Sequence, residues 1–209
     1  HQLWWESSVT SAGNVTSLIY AALGKELSAK NKELMGTPFA QFLKVTSEIR
    51  TLMKISGRHY VAARLMGGVL WSYGNQTIAP YSEQFYIGGA NSLRAFTVRS
   101  LGPGTYTPGK NVKYGYLDQT GDIKLEANVE YRFPIYGELY GATFLDAGNV
   151  WLMRKDESRP GGELTLKDFA KSIALNTGAG IRYDLEFLVI RLDLGIALHV
   201  PYETGKRGY

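Results

Sequence analysis

From Ile123 to Phe133 every odd-numbered residue is apolar or aromatic, and from Asp122 to Arg132 every even-numbered residue is polar or charged. A period of two sustained this long marks a β-strand with one dry and one wet face, and no helix can use it. The pattern recurs in Leu43–Ile55, where Leu43, Val45, Ile49 and Met53 oppose Lys44, Glu48, Arg50 and Lys54. It recurs again in His59–Tyr73 and in Leu188–Val200, whose even positions are all Leu, Ile or Val. Weaker versions occupy Leu3–Gly13, Leu139–Trp151 and Ile173–Tyr183. The count is about seven strands, and strands of about 10–14 residues tilted near 45° rise roughly 25–30 Å, the apolar thickness of a bilayer. A soluble antiparallel sheet with one wet face is the bland alternative. Strands longer than the usual five or six residues weigh against it, as do opposed charges crowded on the polar faces, which suit a lumen. The expected fold class is all-β, an antiparallel transmembrane β-barrel.

The connections sort into two lengths. Ser56-Gly57-Arg58, Ile135-Tyr136-Gly137 and Asp184–Phe187 are short, whereas Val15–Pro38, Gly74–Asp118 and Leu152–Lys171 are long. They alternate, so short turns gather at one end and long loops at the other, as in a bacterial outer-membrane barrel. Ser17–Met35 carries a partly helical pattern and is read as a short helix within a long loop. Aromatics near strand ends (Trp4, Trp5, Tyr60, Trp71, Tyr131, Tyr140 and Trp151 among them) are candidates for interfacial girdles. An odd strand count leaves open edges that lipid does not tolerate. Residues 1–209 are therefore expected to be one barrel segment, either incomplete or closed by strands on another polypeptide.

Composition narrows the function. The 24 Gly and 14 Tyr suit an all-β chain with many turns. The net charge of +4 is mild and comes without a block of like charges, so nucleic acid is not an expected partner. The absence of Cys excludes disulfides and thiolate chemistry. The three His (His1, His59, His199) have no second ligand at metal spacing, and there is no GxSxG elbow or phosphate loop. Gly178-Ala179-Gly180 lacks the βαβ setting of a dinucleotide site and reads as close strand packing. His199 and Asp193 lie six residues apart on one strand, roughly 20 Å, too far for a catalytic contact. No enzyme, metal or cofactor is expected.

The loop Phe85-Tyr86-Ile87-Gly88-Gly89-Ala90-Asn91-Ser92-Leu93-Arg94-Ala95-Phe96 is distinctive. It resembles the loop of the BamA/TamA superfamily of outer-membrane assembly factors (bacterial surface antigens). The core of that loop is an aliphatic residue followed by Arg-Gly-(Phe/Tyr); here Leu93-Arg94-Ala95-Phe96 puts Ala95 in place of the usual Gly. Val129–Pro134 looks like the family strand ending in Glu-aromatic-x-x-Pro. Phe144-Leu145-Asp146-Ala147-Gly148 looks like the family Phe-x-Asp-x-Gly motif, and Gly178–Pro201 resembles the penultimate hairpin. The resemblance covers nearly the whole chain as the C-terminal half of a barrel of about 16 strands, and the Arg-Ala-Phe variant with its long outer loop is most similar to TamA-type relatives.

Glu130 and Asp146 share the polar parity of a hairpin centred near residue 138, where two facing carboxylates repel. A guanidinium between them would resolve the repulsion through planar, bidentate hydrogen bonds, and Arg94 is the candidate. In the family this loop tucks into the barrel and its Arg meets an acidic wall site. The resemblance thus implies loop residues Gly88, Gly89, Leu93, Arg94, Ala95 and Phe96, wall partners Glu130 and Asp146, and barrel-motif residues Phe144, Asp146 and Gly148. It implies a factor in the bacterial outer membrane that inserts or exports polypeptides through a barrel with a lateral seam. Its partners would be client outer-membrane or secreted polypeptides, membrane lipid, and periplasmic or inner-membrane assembly proteins. A two-partner-secretion export pore shares the Arg94 and Asp146 motifs and is the runner-up. A general porin is the alternative from another class, and it would need no such motifs.

Overall fold

A computed structural model describes residues 1–24, 32–34, 37–74, 78–108 and 119–202. Strands form where the alternation predicts them: β1 (Gln2–Ala12), β4 (Phe42–Ser56), β5 (His59–Ser72), β6 (Ile123–Tyr136), β7 (Leu139–Trp151), β8 (Ala174–Asp184) and β9 (Val189–His199). They make one seven-stranded antiparallel sheet in the order β1-β4-β5-β6-β7-β8-β9. Two short strands, β2 (Glu33–Leu34) and β3 (Thr37–Pro38), pair separately. The helix α1 spans Asn14–Ala22. It starts three residues before the expected Ser17; residues 25–31 and Met35 of the expected helical segment lie outside the described residues, and its Glu33–Leu34 are strand, not helix.

The register makes the faces continuous across strands. One row runs Arg50, Arg64, Asn128, Asp146, Asn176; the next runs Leu52, Ala62, Glu130, Phe144, Gly178, Gly195. Both belong to the polar parity, and the loop 78–108 lies on it; we call this the inner face. The other face shows Val9, Val45, Ile49, Leu65, Val129, Leu145, Leu192 and Leu194, all exposed. So many exposed aliphatics on one face have no place on a sheet facing water. No described helix is long and apolar enough to cross a membrane.

The sheet differs from the sequence expectation at three points. β6 continues past Pro134 to Tyr136, with a register irregularity between those residues, because a proline beside the turn sacrifices little of the ladder. Trp4, Tyr60 and Tyr140 do not join an outer girdle. Trp4 lies over Arg50, with the guanidinium 4.7 Å from the ring, and Tyr140 takes Arg58 at 4.9 Å. Trp151 has the outer parity but is 1% exposed, because its ring stacks on Phe169 at 5.6 Å and its indole N–H donates to the Ser172 hydroxyl at 2.9 Å. Phe169 and Ser172 belong to the short helix α2 (Phe169–Ser172), which covers the long-loop end of β7.

The apolar core sits between loop and sheet. Ala79, Phe85, Ile87, Leu93 and Leu101 from the loop close on Phe42, Leu70, Val150 and Ala174 from the strands, with Phe96 packed beside them. Ile87, Leu93 and Leu101 are fully buried, and burial of each such side chain contributes about 1.5–3 kcal/mol. The loop is therefore fixed to the wall by packing before any polar contact is counted.

Candidate functional site

The loop reverses at Gly88-Gly89, where both residues have φ near +100° (99° and 97°). A side chain there is strained, and a β-carbon on Gly88 would meet the Thr97 carbonyl oxygen at 2.2 Å. The reversal is closed by main-chain bonds: Gly89 N–H donates to Phe96 O at 2.7 Å, and Arg99 N–H to Ile87 O at 3.0 Å. Leu93 and Phe96 then point into the core, and Arg94 between them is aimed at the wall.

Arg94 lies across two strands. Its Nε donates to Asp146 Oδ2 at 2.9 Å and its Nη2 to Asp146 Oδ1 at 2.8 Å, a bidentate pair. Its backbone N–H adds a bond to Asp146 Oδ2 at 3.2 Å. Nη1 meets Glu130 Oε2. The guanidinium carbon stands 3.6 Å from the centre of the Phe144 ring, so the cation is bonded in its plane and stacked on its face. The register puts Asp146 opposite Asn128 and Glu130 opposite Phe144, which makes the two carboxylates diagonal neighbours.

The wall orients both acids. Asn128 and Asn176 donate to Asp146 at 3.0 and 2.9 Å. Arg132 Nε donates to Glu130 Oε1 at 2.7 Å, and Arg182 Nη2 to Glu130 Oε2 at 2.7 Å. Arg182 in turn pairs with Asp193 at 2.7 Å. Asp146 is fully buried and the Arg94 and Glu130 side chains nearly so. A buried ion group of this kind persists only when its charges are paired and hydrogen-bonded, as Arg94, Glu130 and Asp146 are here. It holds the loop against the wall in a fixed geometry.

Glycines let the loop come close. A β-carbon on Gly148 would reach Ile87 Cδ1 at 3.0 Å, one on Gly178 would enter the Phe144 ring at 2.4 Å, and one on Gly195 would reach the Ala95 backbone nitrogen at 2.9 Å. All the loop and wall residues expected from sequence thus meet in one place. His199 and Asp193 do not: His199 Nδ1 lies 2.7 Å from Ile173 O, and Asp193 faces Arg182.

Sequence reasoning passed over a second clasp. The Ser92 hydroxyl donates to Glu126 Oε2 at 2.7 Å and accepts from Gly88 N–H at 3.1 Å. Asn128 Nδ2 donates to Ser92 O at 2.9 Å. Arg64 joins Glu126 (2.5 Å), Glu48 (2.6 Å) and the Asn91 carbonyl (3.0 Å). The signal that could have found it was parity: Glu48, Arg64 and Glu126 lie on one face of adjacent strands.

The model of the Omp85 superfamily domain matches residues 27–208. Over 90 residues, 40% of this chain and 11% of the relative, the sequence is 34% identical to the outer membrane protein assembly factor BamA of Neisseria meningitidis serogroup B. Over 185 residues, 85% of this chain and 37% of the relative, it is 28% identical to the human sorting and assembly machinery component 50 homolog. The crystal structure of BamA from Haemophilus ducreyi lacking POTRA domains 1-3 superposes with a TM-score of 0.57 at 18% identity, over 76% of this chain and 32% of that one. The chain thus spans well under half the length of each of these relatives.

Proposed function

This chain belongs to the Omp85 superfamily, and from that premise we propose that it forms part of the barrel wall, with the inward loop, of a factor that inserts client polypeptides into the bacterial outer membrane. The observation that carries the reading is Arg94 of the loop bridging Asp146 and Glu130 on neighbouring strands. The bridge braces the wall and fixes the loop inside, which leaves strand edges elsewhere in the barrel to open. A client strand adds to such an edge through backbone hydrogen bonds. The folded client's own stability drives the process, without a covalent step or a cofactor. Lipid contacts the exposed aliphatic face, and periplasmic or inner-membrane proteins deliver clients. Within the superfamily, the Leu93-Arg94-Ala95-Phe96 variant favours a TamA-type member.

The test is a charge-swap series in the full-length protein: Arg94→Glu, Asp146→Arg, and both together, reading heat-modifiable barrel folding and client assembly in proteoliposomes. Each single change is expected to cripple assembly, and the pair to restore part of it. Parent-like behaviour in all three would return the charges to solvated lumen groups and make a plain porin the better reading. Retained export of a soluble polypeptide with no membrane insertion would favour the export pore.

A further inference from the structure

Beneath the loop tip the inner face holds a cavity of about 530 Å³ lined by Arg50, Arg64, Arg94, Arg132 and Arg191, together with Ala90–Ser92 of the loop. Among the described lining residues Glu130 is the only acid. The roof is the clasped loop. The floor descends through the row of Ala62 and Glu130 to that of Arg132, toward the end that carries the short turns.

The charges in this cavity are not balanced. The Arg50, Arg132 and Arg191 side chains are 56, 38 and 40% exposed. The carboxylate that each one meets is divided with others. Glu48 serves Arg50 and Arg64, Glu130 serves Arg132, Arg94 and Arg182, and Asp193 serves Arg191 and Arg182. Arg64 and Arg94 also meet Glu126 and Asp146, yet in a concave face guanidinium groups that share their carboxylates attract anions more strongly than they would on an open surface. These arginines also already bind main-chain oxygen: Arg64 donates to Asn91 O and Arg191 to Ala90 O, the latter at 2.7 Å. The cavity therefore presents the two features an extended acidic peptide needs, cations for its carboxylates and planar donors for its carbonyls.

We propose that this basin is a binding site for acidic stretches of an incoming polypeptide that enters from the short-turn end. The inference rests on the assembly reading and deepens it by naming a feature of the client. Polypeptide is favoured over lipid phosphate because the register puts every one of the wall arginines on the inner face, with the sheet between them and the exposed aliphatic rows.

The experiment uses the full-length protein in nanodiscs and fluorescent poly-glutamate, poly-glutamine and poly-lysine peptides of equal length, read by anisotropy. Poly-glutamate is expected to bind at least about tenfold more tightly than poly-glutamine, with an affinity that falls as salt is raised. Arg132→Gln with Arg191→Gln should weaken it about five- to tenfold, and Arg132→Lys with Arg191→Lys should recover much of the loss. Folding of each variant is checked by heat-modifiable mobility. Equal affinity for poly-glutamate and poly-glutamine in the parent overturns the proposal without reference to any variant. So does displacement of poly-glutamate by inorganic phosphate at equal charge concentration, which would make the basin a phosphate site. Peptide binding does not require client assembly, so a failure here is separate from a failure of the Arg94 and Asp146 swaps.

Discussion

A β-carbon on Gly195 would stand 2.9 Å from the backbone nitrogen of Ala95 and 3.1 Å from its Cβ. Ala95 fills the place where the resembling family carries Gly, and Gly195 on β9 leaves the space it needs. Gly195→Ala is therefore expected to push the loop tip off the wall, because the first obstacles are backbone atoms that cannot rotate away. Overpacking of this kind costs about 1–3 kcal/mol. Ala95→Gly in the same chain removes only the Cβ contact and should restore part of the loss. Urea unfolding in liposomes measures both, and an unchanged midpoint for Gly195→Ala would mean that the loop does not rest on β9.

Arg94→Lys keeps the positive charge but loses the planar fork, so it tests geometry apart from charge. A lysine cannot bond both oxygens of Asp146 and reach Glu130 at once. The expected result is a fold that survives with client assembly sharply reduced. Phe144→Leu removes the ring under the guanidinium at 3.6 Å and should lower stability by about 1–2 kcal/mol through the lost cation–π contact and packing. If Arg94→Lys assembles clients at the parent rate, only the charge matters and the bidentate geometry has no functional weight.

How much of this was legible in the sequence depended on period and on charge. Alternation located all seven long strands, because a wet–dry sheet must repeat every two residues. Glu130 and Asp146 were legible as two carboxylates on the polar parity of one hairpin, whereas Arg94, on a loop without parity, was legible as their partner only through the resemblance of its motif. Trp4 is only a girdle candidate in the sequence, because an aromatic near a strand end carries no parity signal of its own; the register with Arg50 puts it on the inner face. Gly148 was legible from the resemblance and Gly178 as close strand packing, but a glycine has no side chain to alternate, and the space that Gly195 leaves for Ala95 appears only in the structure. Ser92 looked like an ordinary loop serine, since its partner Glu126 is 34 residues away in sequence.

The exposed aliphatic face makes its own prediction. Val129 is 47% exposed, between Ala63 and Leu145 in register. In a membrane barrel this side chain meets lipid, so Val129→Arg should destabilise the protein by about 2–4 kcal/mol near the bilayer midplane. On a soluble sheet an exposed substitution of this kind changes stability by about 0.5 kcal/mol or less. Guanidinium unfolding in lipid vesicles separates the two, and the smaller value would argue against lipid contact at β6.

The Ser92 clasp should be separable from the Arg94 bridge. Ser92 fixes the loop reversal at Gly88 and ties it to Glu126, a fully buried acid that also meets Arg64 and Lys124. Ser92→Ala removes the hydroxyl and leaves Glu126 with its two cations, so the loss should stay near 1 kcal/mol. Glu126→Gln is harsher: it leaves Arg64 with Glu48, already shared with Arg50, and Lys124 without this buried acid. Removing one partner from a buried ion group costs about 3–5 kcal/mol, somewhat less here because Arg64 is partly exposed. Combined with Arg94→Lys, either change should free the loop more than the sum of the single effects, because each clasp holds the segment near the other. A double-mutant cycle on unfolding midpoints, read beside cysteine accessibility at Ala90→Cys, measures the coupling. Strict additivity would mean that the two clasps act independently and that Arg94 alone sets the loop.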